Sequence, residues 1–570
     1  MVYNLSMIRA IVCSILLVSS CFATEQFNNP SHTVVSSKAI VATQDKYATQ
    51  VGINILKNGG NAIDAAVAIG YAMTVTHPQA GNLAGGGFMM IYSEKDKKTY
   101  ALDYREVAPF KATETMFLDE KNNVDTQKSR FSILSTGVPG TPAGLAAAYE
   151  RFGSLRFDEL INPAIKLAKE GFKVTQEFSD TLKYYESHLR RHKSTEKIFY
   201  KGNKFYEKGD ILKQVDLANT LTRIKNKGVT DFYNGELARD FINFMQANGS
   251  IMSLDDLSHY QAVFRDPIVG TYKGYKVVSM PPPSSGGIAL IETLNILESL
   301  KLDKLAHNSP DYIQLISEAL KFTYYDRATY LGDSDFVQIP YKTLLSKAYA
   351  KKIASKISTQ NIISTDQVGI LSNNYFNESN DTTHFVVADS FGNVVSNTYT
   401  LNFNFGNGQV VEGMGLFLNN EMDDFSAKPG VANAYGLIGN EKNKIEPQKR
   451  MLSSMTPTIV FNKDVPFLVT GSPGGSRIIT TVLQVILNII DHKMSIEDAV
   501  NKPRFHHQWK PDYIRVEADL DKFVTDKLVK RGYTTKVKRN MGSAQSILIL
   551  DTKMVGTIDK RTSESKVLGL

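Results

Sequence analysis

Apolar residues recur at helical spacing over 42–56, which predicts an amphipathic helix closed by Asn58-Gly59-Gly60 at its C-terminus. Asn61-Ala62-Ile63-Asp64 then opens a second helix, so rich in alanine that it must pack closely. A glycine cluster, 81–87, leads into a short apolar strand at 88–92. From 138 to about 332 the pattern is mainly helical, clearest at 143–149, 157–168 and 313–325. Within it, Pro281-Pro282-Pro283-Ser284-Ser285-Gly286-Gly287 reads as a rigid turn feeding a helix over 288–300.

The pattern changes abruptly near residue 381. The stretch 356–381 is polar and rich in Ser, Asn and Asp, as expected of an exposed strip. Directly after it, Thr382-Thr383-His384-Phe385-Val386-Val387 and the valines at 394 and 395 predict two strands joined by Asp389-Ser390-Phe391-Gly392-Asn393. A turn centred on Phe391 sets Thr382 opposite Thr400, with Cβ atoms roughly 5 Å apart. Further on, 429–440 is a Gly/Ala/Asn loop with one aromatic, Tyr435, a composition suited to a flap. Strands are expected at 459–462 and 467–470. Gly471-Ser472-Pro473-Gly474-Gly475 then opens a helix over 478–490, a turn that points backbone N–H groups at an anion or oxyanion.

Composition narrows the class. The chain has 570 residues, 42% hydrophobic and 22% charged, and its net charge of +7 is spread along it, giving a nucleic-acid partner little support. Arg9 followed by an apolar run over 10–18 and small residues up to Ala23 is a secretory signal pattern, too short for a membrane anchor. Cleavage after Ala23 is the first reading; Val18-Ser19-Ser20-Cys21 also matches a loose lipoprotein box. Both cysteines, Cys13 and Cys21, fall in this leader. A mature chain from residue 24 would therefore use no disulfide, thiolate nucleophile or Cys-ligated metal. The expected location is periplasmic or secreted.

Several polar groups have chemical potential and an ordinary explanation beside it. Arg105-Glu106 leaves a strand near the glycine cluster, where the guanidinium could grip a carboxylate on two oxygens, although such pairs are usually solvated. Glu421, Asp423 and Asp424 suit acid/base work or Ca²⁺, but more often mark a turn. His506-His507 lacks further spaced ligands and reads as packing. The glycine cluster is not a phosphate loop, because no Gly-Lys-Ser/Thr follows.

Taken in order, the blocks 81–87, Arg105-Glu106-Val107-Ala108-Pro109, 281–287, Thr382-Thr383-His384, Thr398-Tyr399-Thr400-Leu401-Asn402, 419–425, Ser453-Ser454-Met455-Thr456-Pro457, 471–475 and Met541-Gly542-Ser543-Ala544-Gln545-Ser546 resemble those of the γ-glutamyltranspeptidases, or glutathione hydrolases. The resemblance runs from about residue 39 to Arg561. It implies an α+β fold of the N-terminal-nucleophile hydrolase type, a four-layer αββα sandwich. It implies a precursor that cuts itself between Asp381 and Thr382 into a large subunit, 24–381, and a small one, 382–570. Asp381 stands where the family often has another small polar residue. The nucleophile would be Thr382, oriented by Thr400, with the N–H groups of Gly474 and Gly475 as oxyanion hole. The substrate's α-carboxylate would meet Arg105, Ser453 and Ser454. Its α-ammonium would meet Asn402, Glu421 and Asp424, with Tyr435 on a lid above. Glutathione and glutamine would be donors, amino acids or peptides acceptors, and no metal or cofactor is implied.

Two neighbours share this machinery, a glutaryl- or cephalosporin-type acylase and a poly-γ-glutamate depolymerase. An ammonium clamp argues against the first and a lid against the second. A different class, an unprocessed periplasmic protein that binds glutamyl ligands, would show one uncut chain.

Overall fold

The computed structural model describes residues 32–370, 382–538 and 540–570; the leader, both cysteines and Asp381 lie outside them. The strands that build the site are β1 (Gly86–Ser93), β2 (Lys98–Tyr104), β3 (Thr383–Ala388), β4 (Val394–Thr400), β5 (Thr458–Asn462) and β6 (Val465–Gly471). The helices that support them are α1 (Ala62–Thr76), α2 (Gly286–Ser299), α3 (Pro310–Tyr330) and α4 (Arg477–Ile490).

Two seven-stranded sheets form the centre. One runs Lys566–Gly569, Ile40–Thr43, β3, β4, β1, β2, Val263–Arg265; the other runs Thr33–Ser36, Lys553–Thr557, Gln545–Leu550, β6, β5, Tyr275–Ser279, Ile268–Tyr272. All pairings within them are antiparallel. Each sheet mixes strands from both sides of residue 381, so the two expected subunits share one core.

Side-chain alternation makes this a sandwich. Along β1, Phe88, Met90 and Tyr92 pack with Ile459, Phe461 and Val469 between the sheets, while Met89 and Ile91 point the other way, onto α1. On β3, Val386 and Ala388 face inward and Phe385 and Val387 face the α1 layer. Val460 and Leu468 pack onto α2, α3 and α4 on the far side. The layers are thus helix, sheet, sheet, helix, as the resemblance implied. Each fully buried side chain of this kind contributes roughly 1.5–3 kcal/mol of transfer free energy.

Two expectations from the sequence are corrected. The helix placed at 42–56 starts at Lys46, capped by the Asp45 carboxylate on the Ala48 N–H, because Ile40–Thr43 is a strand paired to β3. Its β-branched residues gain more from the sheet than from the helix. The region described as mainly helical contains a short strand pair, Phe172–Lys173 with Ile211–Leu212, and three further strands, Val263–Arg265, Ile268–Tyr272 and Tyr275–Ser279, the last two joined at Lys273-Gly274 with positive φ at both residues. No helix among the described residues is long and apolar enough to cross a membrane.

Candidate active site

The β3–β4 hairpin holds the expected register. Thr383 pairs with Tyr399 and Ala388 with Val394, which places Thr382, one residue before β3, opposite Thr400. Both threonines are buried. Beyond Thr400 the chain turns sharply. The Asn402 N–H donates to Thr400 Oγ1 at 2.9 Å, and Asn402 takes φ +76°. Its amide reaches the Asn420 carbonyl at 2.9 Å, tying the hairpin's exit to the acidic turn at Glu421–Asp424. The glycine cluster supports the same corner. The Asn82 amide donates to the Thr400 carbonyl at 2.9 Å, and a Cβ on Gly85 would strike that carbonyl. Close backbone approach, rather than phosphate binding, accounts for these glycines.

A cavity of about 20 Å³ opens beside Thr382 and Thr400, lined also by Arg105, Glu421, Asp424 and Tyr435. Ser453, Ser454, Asn402 and Gly475 complete its polar wall; Gly474 lies one residue behind. Arg105 leaves β2 fully buried and makes ion pairs with Glu421 at 2.7 Å and Asp424 at 2.5 Å, with Glu106 at 3.9 Å. One cation thus faces three carboxyl groups. Burial works against the Arg105 charge, but the three carboxyls outweigh it and hold the guanidinium protonated. Burial pushes Glu106 up to about 8, and pushes Glu421 and Asp424 up as well, against the pull of Arg105.

The serines are held from behind. The Ser453 carbonyl accepts from the Ser285 N–H at 2.8 Å and the Ser285 hydroxyl at 2.7 Å, so the proline-rich turn at 281–287 positions them. The turn expected only to feed the following helix thus also supports the cavity wall. Gly474 and Gly475 follow β6 with φ of +132° and +56°, backbone that favours glycine, just before α4. Tyr435, expected on a lid, lies buried against the cavity. Its hydroxyl donates to the Asn402 carbonyl at 2.8 Å, and a Cβ on Gly475 would enter its ring.

The remaining candidates separate cleanly. His384 lies fully buried on β3, its Nδ1 2.8 Å from Thr398 Oγ1, and burial pushes its imidazole down to about 3. That makes it a poor proton carrier near neutral pH. His506 and His507 turn to different partners, Thr480 and Gln508 for one and Asp512 for the other, as packing residues do. Asp423 points away from the cavity to Ser129 and Arg130. Sequence reasoning missed Arg327, which projects from α3 toward Ser285 and Ser454. Its only sequence signal is an arginine in a stretch that is otherwise a buried helix.

A family profile described as Gamma-glutamyltranspeptidase matches residues 48–568. The chain belongs to the γ-glutamyltranspeptidase family. It is 46% identical over 577 aligned residues to a glutathione hydrolase proenzyme of Escherichia coli, covering 99% of each chain. Among solved structures, γ-glutamyltranspeptidase from Helicobacter pylori is 44% identical over 56% of this chain and 92% of its own, with a TM-score of 0.55. A cephalosporin acylase from Bacillus halodurans superposes with a TM-score of 0.84 at 25% identity, over 96% and 98%. This chain is therefore an enzyme of the N-terminal-nucleophile hydrolase fold, acting on small molecules, with two subunits from one precursor.

Proposed function

We propose that this enzyme is a self-processing γ-glutamyltransferase and glutathione hydrolase whose nucleophile is Thr382. The observation that carries the reading is one cavity. It brings Thr382 and Thr400 together with a cation, two carboxyls and two serines, the set a γ-glutamyl zwitterion needs.

Maturation uses the Thr382 hydroxyl. Its oxygen attacks the Asp381 carbonyl carbon, the peptide C–N bond breaks as an ester forms, and water hydrolyses that ester. Two chains result, 24–381 and 382–570, once a leader ending at Ala23 has directed export to the periplasm or beyond. The freed α-amine of Thr382, with a pKa of about 8 in model compounds, is a general base next to its own hydroxyl. Deprotonated Oγ attacks the γ-carbonyl of the donor, and the developing oxyanion faces the N–H groups of Gly474 and Gly475. The amine leaves, carrying the proton, and the γ-glutamyl ester on Thr382 passes to water or to the amine of an amino acid or peptide.

The ion cluster explains donor selection. A zwitterion inserting between Arg105 and the pair Glu421 and Asp424 replaces their two direct ion pairs by contacts to a ligand that carries both charges. Its carboxylate takes the guanidinium and its ammonium takes the carboxyls, with Asn402 beside them. Ser453 and Ser454 add hydroxyl donors to the carboxylate. Tyr435 closes over the bound group. An acylase for glutaryl or cephalosporin side chains, the second reading, finds support in the Bacillus halodurans likeness. A glutaryl group has no ammonium, however, so its carboxylate would compete with Glu421 and Asp424 for Arg105 and offer them no cation in return.

Hydrolysis of a chromogenic γ-glutamyl anilide by the wild-type protein, with and without a dipeptide acceptor, tests the reading. Release of the aniline, faster with the dipeptide, is expected; turnover of the glutaryl anilide alone would favour the acylase. One full-length band on a denaturing gel of the wild type would overturn self-processing.

A further inference from the structure

Arg327 is a buried cation that no carboxylate neutralises at contact distance. It is 5% exposed, near the C-terminal end of α3, and it makes no ion pair within 4.0 Å among the described residues. Its guanidinium reaches two hydroxyls: Nε donates to Ser285 Oγ at 3.0 Å and Nη2 to Ser454 Oγ at 3.4 Å. Burial pushes its pKa down to about 10, and Tyr324 and Asp424 act against this only from a distance. A guanidinium taken out of water without a counter-ion is costly, and an anion arriving beside it would relieve that cost. Arg105, by contrast, already touches Glu421 and Asp424.

The contacts of Arg327 also have a direction. A guanidinium only donates, so Ser454 Oγ spends a lone pair on Nη2 and its own proton turns away from Arg327. Ser285 Oγ likewise accepts from Nε and hands its proton to the Ser453 carbonyl at 2.7 Å. Arg327 thereby sets the hydroxyl of one cavity serine and the backbone of the other.

We propose that Arg327 is a positioning and specificity-determining residue for the α-carboxylate of the donor. It supplies the uncommitted positive charge behind Ser454 and holds the Ser454 hydroxyl as a donor toward that carboxylate. This rests on the γ-glutamyl donor reading above. It adds a second cation to the subsite, which favours donors carrying a free α-carboxylate over the corresponding α-carboxamides.

The test compares two chromogenic γ-anilides, of glutamic acid and of its α-carboxamide, on wild type, Arg327→Gln and Arg327→Lys. Arg327→Gln is expected to raise KM for the carboxylate donor by roughly ten- to a hundredfold, with a smaller fall in kcat. The carboxamide donor should change by less than about threefold, and Arg327→Lys should recover part of the loss. Equal loss on both donors in either variant would overturn the proposal and leave Arg327 a packing residue. Arg327→Lys keeps the test alive where Arg327→Gln does not mature into two chains on a gel. The outcomes stay distinct from failure of the donor reading, because that failure shows in wild type as no turnover of the carboxylate anilide.

Discussion

The Tyr435 hydroxyl closes on the Asn402 carbonyl at 2.8 Å, joining the middle of the 429–440 loop to the residue that follows Thr400 and Leu401. This contact fastens the 429–440 loop to the exit of the hairpin that carries Thr382, the proposed nucleophile. Tyr435→Phe keeps the ring against Gly475 and removes only the donor. A hydrogen bond of net ~1 kcal/mol corresponds to roughly fivefold in affinity. The variant is expected to mature normally and to show a KM raised by about that factor for small γ-glutamyl donors. An unchanged KM would mean the latch does not stabilise the bound state.

Gly475 offers a sharper probe of the same wall. At φ +56° a Cβ is strained by roughly 1–2 kcal/mol, and here it would also enter the Tyr435 ring. Gly475→Ala must shift either the ring or the N–H proposed for the oxyanion hole. Loss of one such donor lowers kcat by roughly a hundredfold or more. Single-turnover acylation measures it, and a wild-type rate would remove Gly475 from the oxyanion hole.

Thr382→Ala removes hydroxyl chemistry from both stages. A single uncut chain and no γ-glutamyl transfer are expected, whereas Thr382→Ser should still process, because the hydroxyl and its position survive. Two chains of the expected sizes from the alanine variant would refute the assignment.

Legibility of the sequence depended on whether an interaction was local. The Thr382–Thr400 relation follows from turn chemistry around Phe391, and the structure keeps that register. The glycine turns at 474 and 475 and the helix after them are also local. The sandwich was accessible only through family resemblance, since a strand such as Ile40–Thr43 is defined by partners hundreds of residues away. Residue 105 was legible as chemistry but not in its contacts. Its carboxyl partners lie more than three hundred positions later, so direct ion pairing was invisible. Arg327 was hidden for the same reason, its meaning set by Ser285 and Ser454.

Those contacts give Arg105 a structural role beside the proposed ligand-binding one. Removing it leaves Glu421, Asp424 and Glu106 buried without their cation, and breaking a buried pair in this way costs roughly 3–5 kcal/mol. Arg105→Ala is expected to lower the melting temperature and raise KM together. Adding Asp424→Asn removes one of the stranded charges. The double variant should regain part of the melting temperature without regaining KM. Equal melting temperatures for wild type and Arg105→Ala would show that the ion cluster contributes no net stability.

His384 gives the acid side of the stability curve. Its folded value is about 3 and the unfolded side chain titrates near 6.5, so between these the unfolded state binds the extra proton. Stability from this group is complete above pH 6.5 and is lost as pH falls toward 3, by up to roughly 1.4 kcal/mol per pH unit. His77, pushed down by burial to about 4, adds a term of the same sign over a narrower range. Glu106, pushed up by burial to about 8, has the opposite sign, so its contribution falls as pH rises from about 4.5 to 8. His384→Gln removes the first term alone. Its melting temperature should start lower than wild type at pH 7, because the contact with Thr398 changes, and then decline less steeply between pH 6.5 and 4. Parallel declines in the two proteins would show that His384 keeps an ordinary pKa in the fold.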